Sequence, residues 1–145
     1  MVAKHLVALG LCASAAVVTA VPATSAPACR FSSPMPDERG GQSWLGSCRA
    51  GAANGPGVIR IASPGGKSPV LWLGRMTAGR PGKGVVKRDG DYYPDAGDDR
   101  NANVQAFSSA AAGARAVSWL FAAKGNNGSA RFYADEATRL AQTLD

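Results

Sequence analysis

Histidine is almost missing from this chain: there is one among 145 residues, His5, and it falls at the extreme N-terminus. From residue 6 onward no imidazole exists. That excludes Ser-His-Asp and Cys-His catalysis and every His-ligated metal site over this span. It also removes the usual general base near neutral pH. Cysteine is nearly as scarce, with only Cys12, Cys29 and Cys48, and acidic residues are outnumbered, ten Asp and Glu against sixteen Lys and Arg. After the first 28 residues no segment is long and apolar enough to cross a bilayer, which takes about 20 residues.

The apolar run that does exist spans Leu6–Val21. It follows Lys4 and precedes the small residues Ala26-Pro27-Ala28, just before Cys29. Charge, apolar core and small-residue cleavage site in that order are the build of a secretory signal peptide, assigned here to residues 1–28. The remaining chain is then expected to be secreted, with no stable membrane insertion once the leader is cleaved. Cleavage lowers the formal net charge from +6 to +5. It also leaves Cys29 and Cys48 as an even pair in an oxidising compartment, where a disulfide is expected. The loop of about twenty residues that it closes is worth roughly 3 kcal/mol on the chain-entropy model.

Residues 29–57 are punctuated by Pro34, Pro36, Gly40, Gly41, Gly46, Gly51, Gly55, Pro56 and Gly57. Such punctuation argues against a helix. It predicts a disulfide-stapled N-terminal arm anchored by Trp44 and Leu45. Residues 58–145 form the expected β domain. Short strands are predicted at 58–61, 70–73 and 84–88, the last ending at the turn dipeptide Asp89-Gly90. Alternation predicts another at 104–108, and a hairpin over 117–133 turning at Gly125-Asn126-Asn127-Gly128. Ala137, Leu140, Ala141 and Leu144 stand at helical spacing, which predicts a short C-terminal helix over 135–143. The expected fold is mainly β: a small antiparallel, Greek-key-like β-sandwich with a short C-terminal helix. Val70-Leu71-Trp72-Leu73 and Val117-Ser118-Trp119-Leu120 suggest an internal repeat at an offset of 47, with Trp72 and Trp119 meeting in the core.

Three stretches are candidate sites. Arg75, Met76, Thr77, Arg80 and Lys83 lie among Gly and Pro and read as an exposed basic loop able to enter an enzyme cleft. Asp95, Asp98, Asp99, Asn101 and Asn103 supply oxygen ligands dense enough for calcium. In the EF-hand pattern, however, Val104 takes the glycine position and Ala110 that of the bidentate Glu. Tyr92-Tyr93 is an aromatic pair that a carbohydrate or cell-envelope polymer could stack on. The positive charge favours acidic partners. Basic residues do not interleave with aromatics as a nucleic-acid groove needs, so nucleic acid is not an expected partner. Most of the carboxylates sit in polar or Gly-rich surroundings that would not raise a carboxyl pKa, and no enzymatic role is expected.

Trp72 to Gly79 and Phe121 to Gly128 are each aromatic-x6-Gly elements. With the leader and the size, they resemble the βγ-crystallin-like secreted proteins of actinobacteria, including peptidase inhibitor family thirty-six. The resemblance covers roughly residues 70–133. It implies a Greek-key sandwich in which each element is a folded hairpin, with Ser118, or alternatively Ser109, as the closing serine. It further implies a binding or inhibitory protein rather than an enzyme, with a secreted peptidase or other extracellular protein as partner. Ala112-Gly113-Ala114-Arg115 stands where that family carries an Asn/Asp pair, so the crystallin-type calcium site is not implied. No cofactor is expected beyond that calcium candidate; a calcium-stabilised structural role and a cell-envelope or carbohydrate-binding module are the alternatives.

Overall fold

The computed structural model describes residues 28–95, 97 and 99–144, so the leader assignment lies outside the described residues. Five strands form one antiparallel sheet in sequential order: β1 Gln42–Arg49, β2 Ala52–Ile61, β3 Val70–Thr77, β4 Arg80–Arg88 and β5 Asp91–Pro94. Two helices follow, α1 Arg100–Ala123 and α2 Asn127–Gln142. The antiparallel, sheet-rich part of the expectation is observed. The described strands make a single meander with helices on one face, in place of a Greek-key sandwich.

Three of the four strand connections are two-residue turns, Ala50-Gly51, Ala78-Gly79 and Asp89-Gly90, and all six residues have positive φ. That is the signature of the type I′ turn, whose twist matches the strands it joins. Only Asp-Gly announces it in sequence, because alanine is a poor occupant of that region. Residues 29–57 are consequently an arm only as far as Gly41; β1 and half of β2 follow. The loop expected at 75–83 is likewise the end of β3, a tight turn and the start of β4.

The first two hairpins are copies of one another. Trp44-Leu45-Gly46, Ala50-Gly51 and Gly55-x-Gly57-Val58 recur as Trp72-Leu73-Gly74, Ala78-Gly79 and Gly82-x-Gly84-Val85. The repeat offset is 28 at the tryptophans and turns, not 47. Its consequence is a row of glycines across four strands, Gly46 opposite Gly57, Gly57 opposite Gly74, and Gly74 opposite Gly84. On one face, the Trp44 indole lies over Gly46 and Gly57 and that of Trp72 over Gly74 and Gly84. Ile59, Ile61, Val70 and Met76 join Trp72 there, covered by Cys29, Phe31 and Met35 of the arm. The Cys29–Cys48 disulfide ties this arm to the sheet.

The opposite face carries the helices. Ala102, Ala106, Ala110, Gly113, Ala114 and Val117 are buried at spacings of three and four, the stripe of a helix lying flat on a sheet. These small residues bring α1 down onto the glycine row: a methyl at Gly113 would collide with the Gly57 carbonyl oxygen and lie 3.0 Å from that of Gly74. Asp99 caps α1 by accepting from the Ala102 N–H at 3.1 Å, and Asn126 caps α2 by accepting from that of Ser129 at 3.1 Å. The residues predicted as a strand at 104–108 and as a hairpin at 117–133 are therefore helical, with Gly125-Asn126 serving as helix stop and cap. The C-terminal helix starts at Asn127 and runs 16 residues. Trp72 is in the core, but Trp119 faces outward from α1 and is 67 % exposed, so the two do not meet.

Gly113→Ala is expected to cost about 1–3 kcal/mol through overpacking, read as a fall in melting temperature of roughly 4–15 °C. Gly41→Ala, where nothing lies within 4 Å of the new methyl, serves as the near-neutral control.

Candidate functional site

The two hairpin tips are tied to each other and to the arm. The Gly79 N–H donates to the Ala53 carbonyl at 2.8 Å, and the Arg30 N–H to that of Gly51 at 2.9 Å. The Ser32 N–H donates to the Gly79 carbonyl at 2.8 Å. The same bonds gather cations at this end of the sheet: Arg30 on the arm, Arg49 closing β1, and Arg75, Arg80 and Lys83 on the β3–β4 hairpin. All five are exposed.

Alternation along β3 puts Arg75 and Thr77 on the face of Leu73, the face that α1 covers. There they line an open cleft of about 550 Å³ with Gly82 and Lys83 of β4 and Val104, Gln105, Ser108 and Ser109 of α1. Lys83 Nζ donates to Gln105 Oε1 at 3.0 Å, bridging strand and helix. No carboxylate lines the cleft, and Arg75, Arg80 and Lys83 make no salt bridge among the described residues. A guanidinium fork, an ammonium and three hydroxyls around an apolar Val104 can hold carboxylates of an extended chain. They do not form a nucleophile–base pair.

Of the residues expected in an inhibitory loop, Arg75, Thr77 and Lys83 come together in the cleft as strand residues, whereas Arg80 lines a separate pocket with Arg30, Phe31 and Ser32 of the arm. Met76 points to the opposite face and is buried beside Trp72. The calcium ligands do not assemble among the described residues. Asp99 is occupied as a helix cap, and Asn103 Nδ2 donates to the Gly97 carbonyl at 3.1 Å. Asn101 lies within α1, where positions two apart point to opposite sides, so the alternate-residue ligand pattern of a loop is lost. Burial raises the Asp95 carboxyl pKa above its ordinary value, and Asp98 lies outside the described residues. Tyr92 and Tyr93 alternate across β5, so only Tyr93 is freely exposed. Of the two aromatic-x6-Gly elements, residues 72–79 occupy β3 and its turn, whereas residues 121–128 span the junction between the helices.

A second polar cluster escaped the sequence reading. Glu136 of α2 is buried, 1 % exposed. Its Oε1 accepts from Lys87 Nζ at 2.5 Å and from Arg139 at 3.5 Å, and its Oε2 accepts from the Tyr92 hydroxyl at 2.6 Å. The Lys87 ammonium also lies 5.6 Å from the Tyr92 ring centre and 5.4 Å from that of Phe132. Burial, together with the Glu136 carboxylate, pushes the Tyr92 phenol well above its ordinary pKa. The signal for Glu136 was its spacing with Tyr133, Ala137 and Leu140, which places it on the buried side of α2.

Compared with known proteins, the chain matches no family model, no curated protein and no solved structure. No described helix is long and apolar enough to cross a membrane. The disulfide is compatible with an extracellular setting.

Removing one partner of the buried pair strands a charge. Lys87→Met and Glu136→Leu are each expected to cost about 3–5 kcal/mol in urea unfolding, and the double variant less than their sum. The Tyr92 phenol titrates higher in the folded protein than in the unfolded chain. Its contribution is therefore fully present below the unfolded value of about 10 and is lost as pH rises beyond it toward the folded value. Tyr92→Phe is expected to flatten the alkaline fall in stability that begins near that pH, measured by unfolding in a pH series.

Proposed function

We propose that this is a secreted, non-enzymatic binding protein that holds an acidic segment of another extracellular protein. The observation that carries the reading is the cleft between the β3–β4 hairpin and α1. It is open and basic, carries no lining carboxylate among the described residues, and is built on strands and a helix rather than on a loop. Preorganised cations spend little ordering entropy on binding, and complementary charge raises the encounter rate. A secreted peptidase is one partner class, suggested by the crystallin-like resemblance; the hairpin tip, bonded to the arm through Gly79, would then dock as a rigid edge and would not insert as a loop.

The test is binding of an aspartate- and glutamate-rich peptide, and of acidic secreted proteins, to the intact protein by calorimetry. Arg75→Glu/Lys83→Glu is expected to weaken binding at least about tenfold, equivalent to roughly 1.4 kcal/mol. Raising the salt concentration should weaken the wild type more than the variant. Equal affinity of wild type and variant would overturn the reading. Peptidase activity measured alongside separates an inhibitor from a simple binder.

A further inference from the structure

The two edges of the sheet are built differently. β5 has four residues, opens with Asp91 and closes with Pro94, and so presents little for another strand to pair with. β1 has eight residues, and from Gln42 to Cys48 it holds no charge and no proline. It is the first strand of the sheet, and among the described residues Gln42–Arg49 make no backbone–backbone bond outside the ladder, the Ser47 carbonyl accepting from Trp44 Nε1 at 3.0 Å. The register shift between Gly46 and Cys48 places the extra residues on β2, leaving β1 itself without an insertion to blunt it. Natural sheets seldom leave so long an edge undefended. The internal repeat adds a second observation. β3 is the copy of β1, and its corresponding edge is paired antiparallel to β2.

We propose that β1 is a dimerisation edge, pairing antiparallel with β1 of a second copy of this chain about a two-fold axis through Leu45. Such a pairing is self-complementary. Trp44 falls opposite Gly46 of the other copy, Ser43 opposite Ser47 and Gln42 opposite Cys48, while Arg49 lands opposite Gly41 and meets no like charge. Each indole lies over its own Gly46 and the Gly57 of β2, leaning inward from the edge. The result is one continuous ten-stranded sheet with both helical layers on the same face.

The experiment is light scattering of the intact protein over a concentration series, with hydrogen exchange of the β1 amides. The wild type is expected to double in mass, with those Ser43–Ser47 amides that face away from β2 gaining protection as it does. Ser43 and Ser47 are exposed, so substitutions there should leave the fold intact. Ser43→Lys/Ser47→Lys and Ser43→Glu/Ser47→Glu should each remain monomeric, and mixing the two should restore the doubled mass. A wild type that stays monomeric with freely exchanging β1 amides overturns the proposal. A dimer unaffected by either variant overturns it too, because the interface then lies elsewhere. The basic cleft is on another part of the molecule, so the acidic-peptide assay stands or fails separately.

Discussion

Everything in this fold depends on how closely α1 approaches the sheet. On the α1 face Gly113 rests on the backbone of Gly57 and Gly74, and the row Gly46, Gly57, Gly74 and Gly84 carries no side chain on the opposite face. Close-packed interiors tolerate neither voids nor overlap, so the same row must be filled on its other side. Trp44 and Trp72 do that, each laid along its strand over two glycines. Helix, sheet and indoles are thus a single steric unit, and each constrains the other two.

The polar groups follow from that geometry. With α1 seated on the glycine row, α2 packs beside it and delivers Glu136 to Lys87 and Tyr92 near the β4–β5 turn. A carboxylate buried there is tolerated because an ammonium and a phenol satisfy it. At the other end of the sheet the tied hairpin tips gather arginines and a lysine without carboxylate partners, and that end is left to attract an anion.

The sheet was more legible than the helices, for a definite reason. Val58–Ile61, Val70–Leu73 and Gly84–Arg88 carry apolar residues on both faces because both faces are covered, so each reads as a strand locally. Asp89-Gly90 announced its turn, whereas Ala50-Gly51 and Ala78-Gly79 adopt the same turn with a residue ill-suited to it. In α1 the buried stripe is alanine and glycine, which carry little hydrophobic signal, while Val104, Trp119 and Leu120 lie exposed. Alternation in Val117-Ser118-Trp119-Leu120-Phe121 therefore looked like a strand, although alanine's helix propensity favoured the other answer. The basic cleft was half visible: Arg75 and Lys83 stood out, but Val104, Gln105 and Ser108 lie more than twenty residues away and reach it only through the helix crossing.

By itself, the sequence determined the chemistry that is absent and the local punctuation. With its one histidine at position 5, the chain has no imidazole for catalysis from residue 6 onward. Cys29 and Cys48 were the available pair, and the structure joins them. Only the tertiary structure decided that an alanine-rich segment is a helix, that Trp119 faces solvent while Trp72 does not, and that Glu136 is buried with partners about fifty residues earlier. The physical reason is range. Turn chemistry and cysteine count act through neighbours or residue identity, whereas the value of a small residue lies in what approaches it, and here the approaching surface is contributed by a distant segment.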